Sequence, residues 1–458
     1  MLCPSFAFLV LLGTPLLAQN GWVLRTSAAT PPSRGWHGMA YDVGRGVHVL
    51  FGGRNSSPVN DTWEWDGANW TQRTPAVSPS ARLAHTMAAD LGRGNVLLFG
   101  GRDAAGLLLA DTWTYDGAGW VQRQTAHAPS PRVIAGLAHL GNGGQMILYG
   151  GEGASTTQAF GDTWAWDGVD WAPVVTLQSP GPRAAFGFTS DFQRASVVLF
   201  GGTTGLLDRA DAWSFDGIDW RLLPATQSPS PLANTSLAAD LGRGILVQFG
   251  GFRSANNLPP TDETWLYDGF DWRRDARATA MTPRRAFGLS YDWGRDCFVL
   301  FGGWGLTFSL GETWEYDLRG AATWASLGAG CAGLAIAPEL RPVGARAVLG
   351  ATCSQQVTGG VSGGVVFAVG FSSQSWNGAP LPQSLAGYGM PGCQLLVAAE
   401  QTVFRGSVGG AARLDVPIPA VASLAGVELY TQALVFQSGA NPFGAVVSNG
   451  SRMVVGTF

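Results

Sequence analysis

The chain alternates short apolar runs with glycine-rich turns, a pattern that predicts an all-β fold. The runs at 96–99 and 197–200 are continuously apolar, and each ends at a Gly-Gly doublet. After each doublet come two aromatic residues spaced two apart, which places both rings on one face of a strand. No segment keeps the 3.6-residue spacing of an amphipathic helix before Gly or Pro interrupts it. The sequence therefore predicts short strands and argues against a helical protein.

One block of sequence recurs six times between residues 21 and 327, at intervals of about 50 residues. Each block has an apolar run, a Gly-Gly doublet, an acid, a Trp two residues after the acid, and a second Trp. The doublets begin at Gly52, Gly100, Gly150, Gly201, Gly250 and Gly302, and the acids are Asp61, Asp111, Asp162, Asp211, Glu263 and Glu312. In five blocks an Asp-Gly pair separates the two Trp residues, which is a hairpin signal. Each block is thus predicted to hold four antiparallel strands, A to D, and six blocks predict a β-propeller.

These blocks resemble kelch repeats, in which an apolar strand, Gly-Gly, a downstream aromatic and a spaced Trp recur. The resemblance covers about 300 residues in six copies. It implies a six-bladed kelch β-propeller with strand A innermost. Kelch propellers serve as enzymes, scaffolds and recognition modules, so the resemblance is weakly informative about function.

The spacing of two Trp residues predicts how the ring closes. Trp22 precedes Arg34 by the same interval that separates Trp70 from Arg82 in the interior of the repeat. Trp324 breaks this regularity, and the turn before it has Leu318 in place of Gly. We therefore expect residues 21–26 to supply strand D of the sixth blade, since a ring must close or expose an edge. The Trp324 segment is then the exit toward the C-terminal region, or a displaced outer strand.

Residues 1–18 are predicted to be a signal peptide, because the apolar run 6–17 precedes Ala18 and a polar start. A buried N-terminal strand or helix is the alternative. No later stretch is apolar enough to predict a transmembrane segment. Removal of the signal with Cys3 leaves Cys297, Cys331, Cys353 and Cys393, which allow three disulfide pairings.

Composition changes after Gly328, and residues 328–458 are predicted to form a small all-β sandwich. The strand-like runs are 364–370, 394–399, 427–436, 443–448 and 452–458. The region resembles a C-terminal module of secreted planctomycete-type bacterial proteins through Gly330-Cys331-Ala332-Gly333, Leu381-Pro382, Pro391-Gly392-Cys393 and Ser448-Asn449-Gly450. That resemblance implies a bacterial protein that is secreted, periplasmic or at the cell surface, and a Cys331–Cys393 disulfide, but no activity. Cys297 and Cys353 stay unassigned, with Cys297 expected to be buried in a blade-six strand.

Charge narrows the choice of partner. The net charge is −4, and all 28 basic residues are Arg, since the chain contains no Lys. Lysine-based covalent catalysis is therefore excluded, and without a run of cations we predict no nucleic-acid partner.

The loops predict which face of the propeller binds a ligand. The A–B and C–D turns are short and uniform, whereas the B–C loops differ in length and content. These loops are 54–60, 102–110, 152–161, 203–210, 252–262 and 304–311. The B–C and D–A connections lie on one face, which is the predicted ligand face.

A set of Arg and His residues is predicted to surround the channel mouth on that face and to bind the ligand. The residues are Arg34, His37, Arg82, His85, Arg132, Arg183 and Arg284. Each Arg opens strand A, in five of six blocks, and Arg suits bidentate capture of carboxylates. In the alternative interpretation each Arg pairs with a strand-C acid and braces the blade.

The remaining chemistry argues for binding rather than catalysis. The recurring acids do not single out a catalytic pair, and the nucleophile and phosphate-binding motifs are missing. A copper oxidase similar to galactose oxidase would need two His, two Tyr and a Cys-modified Tyr around the metal. Beyond His37 and His85 the other blocks have Ala135, Phe186, Thr235 and Phe287 at this position, and the first five contain no Cys, so no metal or cofactor is predicted. We expect an exported, non-catalytic recognition protein whose partner is a surface protein or a glycan. The alternative is a sugar-active kelch enzyme similar to a sialic-acid mutarotase.

Overall fold

The computed structural model describes residues 21–141, 144–155, 158–205, 207–240, 243–253, 258–275, 277, 281–318, 323–328, 331, 337–342, 347, 351–359, 364–407, 411–437, 440–443 and 445–456. The predicted signal peptide and Cys3 lie outside these residues. Almost every described element is a β-strand, as the sequence pattern predicts.

Six four-stranded antiparallel sheets form the blades of a propeller. Strands A to D are Gly38–Asp42, Val47–Phe51, Thr62–Trp65 and Trp70–Arg73 in blade 1, Thr86–Asp90, Asn95–Asp103, Leu108–Tyr115 and Trp120–Arg123 in blade 2, and Gly136–His139, Met146–Tyr149, Thr163–Trp166 and Trp171–Val174 in blade 3. They are Gly187–Asp191, Ser196–Phe200, Ala212–Phe215 and Trp220–Leu223 in blade 4, and Ser236–Asp240, Ile245–Phe249, Thr264–Tyr267 and Trp272–Asp275 in blade 5. Blade 6 takes strands A to C from Gly288–Asp292, Cys297–Phe301 and Thr313–Tyr316. In blade 2 the short strand Arg82–Leu83 also pairs with the end of strand B.

The sixth blade closes as the Trp spacing predicts. Trp22–Arg25 pairs with strand C of blade 6 in antiparallel register, with Trp22 opposite Tyr316, and therefore serves as its strand D. The strand Thr323–Leu327 pairs instead with Ala445–Val454 of the C-terminal region. The first described strand thus completes the last blade, and the chain leaves the ring after strand C of that blade.

Strand B lies between two other strands and is covered on both faces by neighbouring blades. Val49, Leu98 and Val247 are completely buried. This double burial explains why the B strands are continuous apolar runs rather than alternating ones. At the end of strand B, Gly52 and Gly53 have φ of 62° and 86°, values that favour glycine.

The C-terminal region is all-β. Two two-stranded sheets pair Ser375–Trp376 with Ala379–Pro380 and Gln383–Ser384 with Gln394–Leu395. The two larger sheets pack as a sandwich. One sheet has the order Thr323–Leu327, Ala445–Val454, Glu428–Phe436, Val365–Gly370 and Gln401–Arg405, and the other has the order Glu339–Pro342, Thr352–Thr358 and Ala412–Pro417. Leu340 and Leu414 from the second sheet share one apolar core with Phe367 and Val435 from the first.

Two strand predictions in this region are wrong. Of the run 394–399, Gln394–Leu395 is the part that forms a strand. The two runs 443–448 and 452–458 belong to one strand, Ala445–Val454. The sequence between them looks like a turn, but Ser448 is buried and Asn449 is hydrogen-bonded to both backbone groups of Leu340. These bonds satisfy the polar side chains within the sheet, so the strand continues through them.

The cysteines behave as expected from the resemblance and the burial argument. Cys331 and Cys393 form a disulfide. Cys297, in strand B of blade 6, and Cys353 are buried. Within the part of the chain that the structure describes, no helix has the length and apolar character to cross a membrane.

Candidate functional site

The six A strands surround the central channel, and each contacts the A strands of its two neighbours. The B–C loops and D–A segments lie at one end, which we call the loop end. The A–B and C–D turns lie at the other, which we call the turn end. Because the predicted ligand residues belong to the D–A segments, the loop end is the candidate binding face.

A closed ring of backbone hydrogen bonds defines the channel mouth at the loop end. One residue per blade donates its N–H to the carbonyl of its counterpart in the preceding blade, at 2.7–3.1 Å. All six are non-glycine residues with φ between 48° and 60°, namely Trp36, Ala84, Ile134, Ala185, Asn234 and Ala286. Such a backbone costs roughly 1–3 kcal/mol per residue, and the hydrogen bonds of the ring offset this cost. The aperture is therefore held rigidly, with its backbone groups satisfied.

The predicted arginines lie behind this ring, buried and paired. Arg34 is 2% exposed; it donates to the two carboxylate oxygens of Asp61 at 2.5 and 2.8 Å and to the Gly52 carbonyl at 3.1 Å. The same arrangement joins Arg82 to Asp111, Arg132 to Asp162 and Arg183 to Asp211. Arg284 donates to one carboxylate oxygen of Glu312 at 2.7 Å and to the Gly302 carbonyl at 3.0 Å. Strand A begins at Gly38, so Arg34 lies in the D–A segment rather than opening the strand.

The ion pairs hold each acid in its charged form. Burial alone would raise the pKa of Asp61, but hydrogen bonds and charge from Arg34 and a hydrogen bond from Trp63 outweigh it and lower the pKa. These Arg contacts agree with the alternative interpretation, in which each Arg braces its blade. They connect the D–A segment to the strand-C acid and to the Gly-Gly doublet of the same blade. A contact between these arginines and a ligand stays a prediction.

His37 and His85 fill packing slots between blades. The His37 ring lies 5.7 Å from that of Phe301 in blade 6, and His85 lies 5.5 Å from Phe51 in blade 1. Phe186 and Phe287 occupy the equivalent slots against Tyr149 and Phe249. Burial, aided by Arg34, lowers the pKa of His37 to about 3, so the ring is neutral at neutral pH. Both His residues also line the mouth cavity of about 130 Å³.

The residue after each Gly-Gly doublet is not constant, although the doublet itself repeats: it is Arg in blades 1 and 2 and a different residue in each of the other four blades. These residues are Arg54, Arg102, Glu152, Thr203, Phe252 and Trp304. Each pairs through its backbone with the D–A segment of its own blade, beside the mouth ring. Sequence reasoning missed them as a set, although their variation next to a constant doublet was a visible signal.

Two side chains of this set, Arg54 and Trp304, form an aromatic and cationic cluster with Trp36 between blades 6 and 1. The Arg54 guanidinium lies 5.3 Å from the Trp36 ring and 5.7 Å from the Trp304 ring. Nearby, Arg285 lies 4.1 Å from the Phe252 ring. The Nε atoms of both arginines and the indole N–H of Trp304 are buried and have no hydrogen-bond partner among the described residues. Buried polar atoms in native structures usually have a partner, so these donors mark a candidate ligand position.

A larger groove lies at the same end, between the B–C loops of blades 2 and 3. It has a volume of about 450 Å³ and is lined by residues including Arg102, Leu107, Gln158 and Phe160. Burial raises the pKa of Glu152, and the charge of Arg102 acts in the opposite direction. Arg54, Arg102 and Arg285 have no carboxylate partner among the described residues, in contrast to the five braced arginines.

The loops around the mouth also expose apolar side chains. Leu107, Leu306 and Phe308 are each more than half exposed. In the described residues, no three His, Cys, Asp or Glu side chains are grouped closely enough to hold a metal ion. The loop end therefore combines guanidinium groups that form no salt bridge within the described part of the chain with aromatic and aliphatic surface.

Comparison with known proteins agrees with this architecture. The family model of the KLHDC2/KLHL20/DRC7 Kelch-repeats domain matches residues 17–172. The solved structure of YjhT is similar with a TM-score of 0.50 at 16% sequence identity, over 63% of this chain and 96% of that one. No curated protein matches the chain. The six blades thus form a kelch-repeat β-propeller, as the sequence predicts; the likeness of residues 328–458 to a secreted bacterial module stays a prediction.

Proposed function

We propose that the protein is an exported recognition protein that binds an acidic group of a surface protein or glycan at the loop end of the propeller. One observation carries the proposal. The position after the Gly-Gly doublet breaks the sixfold repeat. There and in the adjoining D–A segment lie Arg54, Arg102 and Arg285, which form no salt bridge with a carboxylate of the residues that the structure describes. The fold does not require one residue type at a position that differs between otherwise equal blades. The side chains at that position can therefore determine ligand specificity.

The chemistry of these side chains fits an acidic ligand. A guanidinium group binds a carboxylate through two parallel hydrogen bonds, and it does so most strongly where water is excluded. Trp36 and Trp304 beside Arg54 offer flat apolar surface on which a sugar ring or an apolar side chain can pack. The ligand would thus be held by one charge-assisted contact and one aromatic contact.

Binding without chemistry is supported by the state of the carboxylates at this end. Asp61, Asp111, Asp162 and Asp211 are each held by an arginine and by the indole N–H of the Trp two residues later. An acid in such a pair has a lowered pKa and is unsuited to proton transfer near neutral pH. Export is supported by the disulfide between Cys331 and Cys393, because disulfides persist in oxidising compartments.

The test is a binding screen with three kinds of immobilised probe: sialylated and uronate-containing glycans, neutral glycans, and an acidic peptide. We expect retention on acidic probes and none on neutral glycans. The R54Q and R102Q variants should lose this retention, whereas R221Q should keep it. Arg221 is the matched control because it is exposed on an outer strand, where it pairs with Asp216.

Comparison of retention on the acidic glycans with retention on the acidic peptide shows which of the two carries the acidic group that the protein binds. Equal retention on neutral and acidic glycans together with no retention on the peptide would overturn the proposal. Conversion of a bound sugar by the wild type, lost in R54Q, would replace it with the sugar-active enzyme.

A further inference from the structure

The turn end of the channel contains a second cavity, separate from the mouth. Its volume is about 140 Å³, and its walls are the A strands with the adjoining A–B turns. Most of the lining residues are apolar, and the polar side chains among them include Tyr41, His139, Ser190, Ser290 and Tyr291. None of these residues belongs to the loop-end site.

Ser290 is the first member of a hydrogen-bonded chain that starts at this cavity. The Ser290 hydroxyl oxygen lies 2.7 Å from Nδ1 of His48, and Nε2 of the same ring lies 3.3 Å from a carboxylate oxygen of Asp292. His48 belongs to strand B of blade 1, and the other two belong to strand A of blade 6. Ser290 is half-buried, whereas His48 is fully buried. A hydroxyl, an imidazole and a carboxylate in this order form the arrangement that activates a serine nucleophile.

The repeat shows that the fold does not require this chain. The equivalent positions at the other five blade interfaces are occupied by Ala40 and Val96, Ala88 and Met146, Ala138 and Val197, Thr189 and Leu246, and Ala238 and Phe298. Four of these pairs are wholly apolar and lie in the interblade cores. A buried polar pair is on average no more stabilising than an apolar pair of the same shape. The departure from symmetry therefore calls for a reason other than packing.

The charges around His48 favour proton transfer from Ser290. Burial alone would raise the pKa of Asp292, but hydrogen bonds from His48 and the backbone and the charge of Arg295 lower it overall. Burial also lowers the pKa of His48, against the opposing effect of Asp292, so the ring is neutral at neutral pH. A neutral imidazole that donates Nε2–H to the ionised Asp292 leaves Nδ1 as a hydrogen-bond acceptor. The Ser290 hydroxyl then donates to Nδ1, as a nucleophile must before attack.

We propose that Ser290 is a nucleophile toward small esters that enter the turn-end cavity, with His48 as its general base and Asp292 as a positioning residue. The Ser290 oxygen bonds to the ester carbonyl carbon while its proton passes to Nδ1 of His48. The bond to the leaving alkoxide or phenolate then breaks, and that group departs with the proton or as the anion. Water attacks the acyl-serine in a second step, which releases the acid and restores Ser290. This activity is independent of loop-end recognition, since the two sites share no residue.

The first experiment measures acetylation of the full-length protein by p-nitrophenyl acetate, with release of p-nitrophenolate as the signal and peptide mass spectrometry to locate the acetyl group. The chain has no lysine to give background reaction, and the exposed imidazole of His127 is removed in an H127Q background. We expect acetylation of Ser290, its loss in S290A, and a rate at least about 100-fold lower in H48V, the typical worth of a general base. Absence of acetyl from Ser290 in the wild type, or an unchanged rate in S290A, would overturn the proposal.

A double variant separates the effect on the reaction from the effect on stability. The double variant H48V/S290A restores the residue pair of the blade 3 and blade 4 interface, so it should fold with at least wild-type stability while losing the reaction. Unfolding of this variant at lower denaturant than the wild type would instead assign the pair a structural role.

The positioning role of Asp292 has its own matched control. Asp191 makes the same turn contact with Arg194 that Asp292 makes with Arg295, but no imidazole among the described residues is bonded to it. The groups facing His48 are Asp292, Arg295, Glu315 and Tyr41. Because Asp292 raises the pKa of His48, D292N should move the midpoint of the pH–rate profile to lower pH and slow the reaction, and D191N should change neither. Identical profiles for the two variants would contradict the assigned role.

Discussion

The indole N–H of Trp22 donates a hydrogen bond to the hydroxyl of Thr264, 2.9 Å away and 242 residues further along the chain. Other blades make the same link from the Trp of strand D to the Thr of strand C in the preceding blade. The pairs are Trp70 with Thr313, Trp120 with Thr62, Trp171 with Thr112 and Trp220 with Thr163. Trp22 therefore links blade 6 to blade 5 by the same interblade hydrogen bond that the other strand-D Trp residues form within the ring.

Replacement of Trp22 should weaken the whole propeller. W22A removes a side chain that is 4% exposed and packs against Phe249 and Tyr316, so it should lower the free energy of unfolding by roughly 3–5 kcal/mol. L24A is the matched control, since Leu24 lies on the same strand but is 48% exposed. Urea unfolding of both variants makes the comparison. A loss in W22A no larger than in L24A would show that the N-terminal strand does not hold the ring closed.

The bracing arginines predict a large effect from a single charge deletion. R82A leaves Asp111 without the guanidinium that binds both of its oxygens, and loss of one partner of a buried pair costs about 3 kcal/mol or more. R221A, on the exposed outer strand, should change stability by less than about 0.5 kcal/mol. The measurement is the unfolding free energy of each variant, and similar values for the two would reject the bracing role.

The buried histidines predict loss of stability in mild acid. His37 has a folded-state pKa of about 3 against an ordinary value of 6.5. At a pH between these values His37 is protonated in the unfolded chain but neutral in the folded protein. The free energy of unfolding therefore falls as the pH decreases below about 6.5. His37 alone should account for about 2 kcal/mol between pH 7.5 and pH 5.

The repeat offers the control for this effect, because Phe186 fills the equivalent slot in blade 4. The H37F variant should therefore fold, and its unfolding free energy should fall less between pH 7.5 and pH 5 than that of the wild type. Equal acid sensitivity of the two proteins would show that His37 is not held neutral in the fold.

Repetition explains how much of the structure could be predicted from the sequence. Six copies of the same signal identify the strands, and a regular spacing reveals Trp22 as a displaced part of the last blade. The mouth ring could not be predicted in this way. Its left-handed residues include Trp36 and Ile134, which carry no glycine-like signal, and the conformation is held by a hydrogen bond from the adjacent blade.

The candidate sites show a second limit of prediction from the sequence. Residues that recur in the blocks, such as Arg34 and Asp61, can be identified from the sequence. In the structure these two residues form an ion pair with each other. The polar contacts that remain depend on which residues face one another across blade interfaces, as Ser290 and His48 do. That register is a property of the packed ring and not of any single repeat. Departures from the repeat, rather than the repeat itself, therefore point to the sites.

The most direct test of loop-end recognition is calorimetric titration with the acidic glycan or peptide that the screen retains. One lost charge-assisted hydrogen bond is worth about 1.5–3 kcal/mol, at least about tenfold in Kd. We predict that R54Q and R285Q each weaken binding by at least this factor, while R221Q, which changes the net charge equally, binds as the wild type does. Wild-type affinity in both mouth variants, or an equal loss in R221Q, would contradict recognition at the loop end.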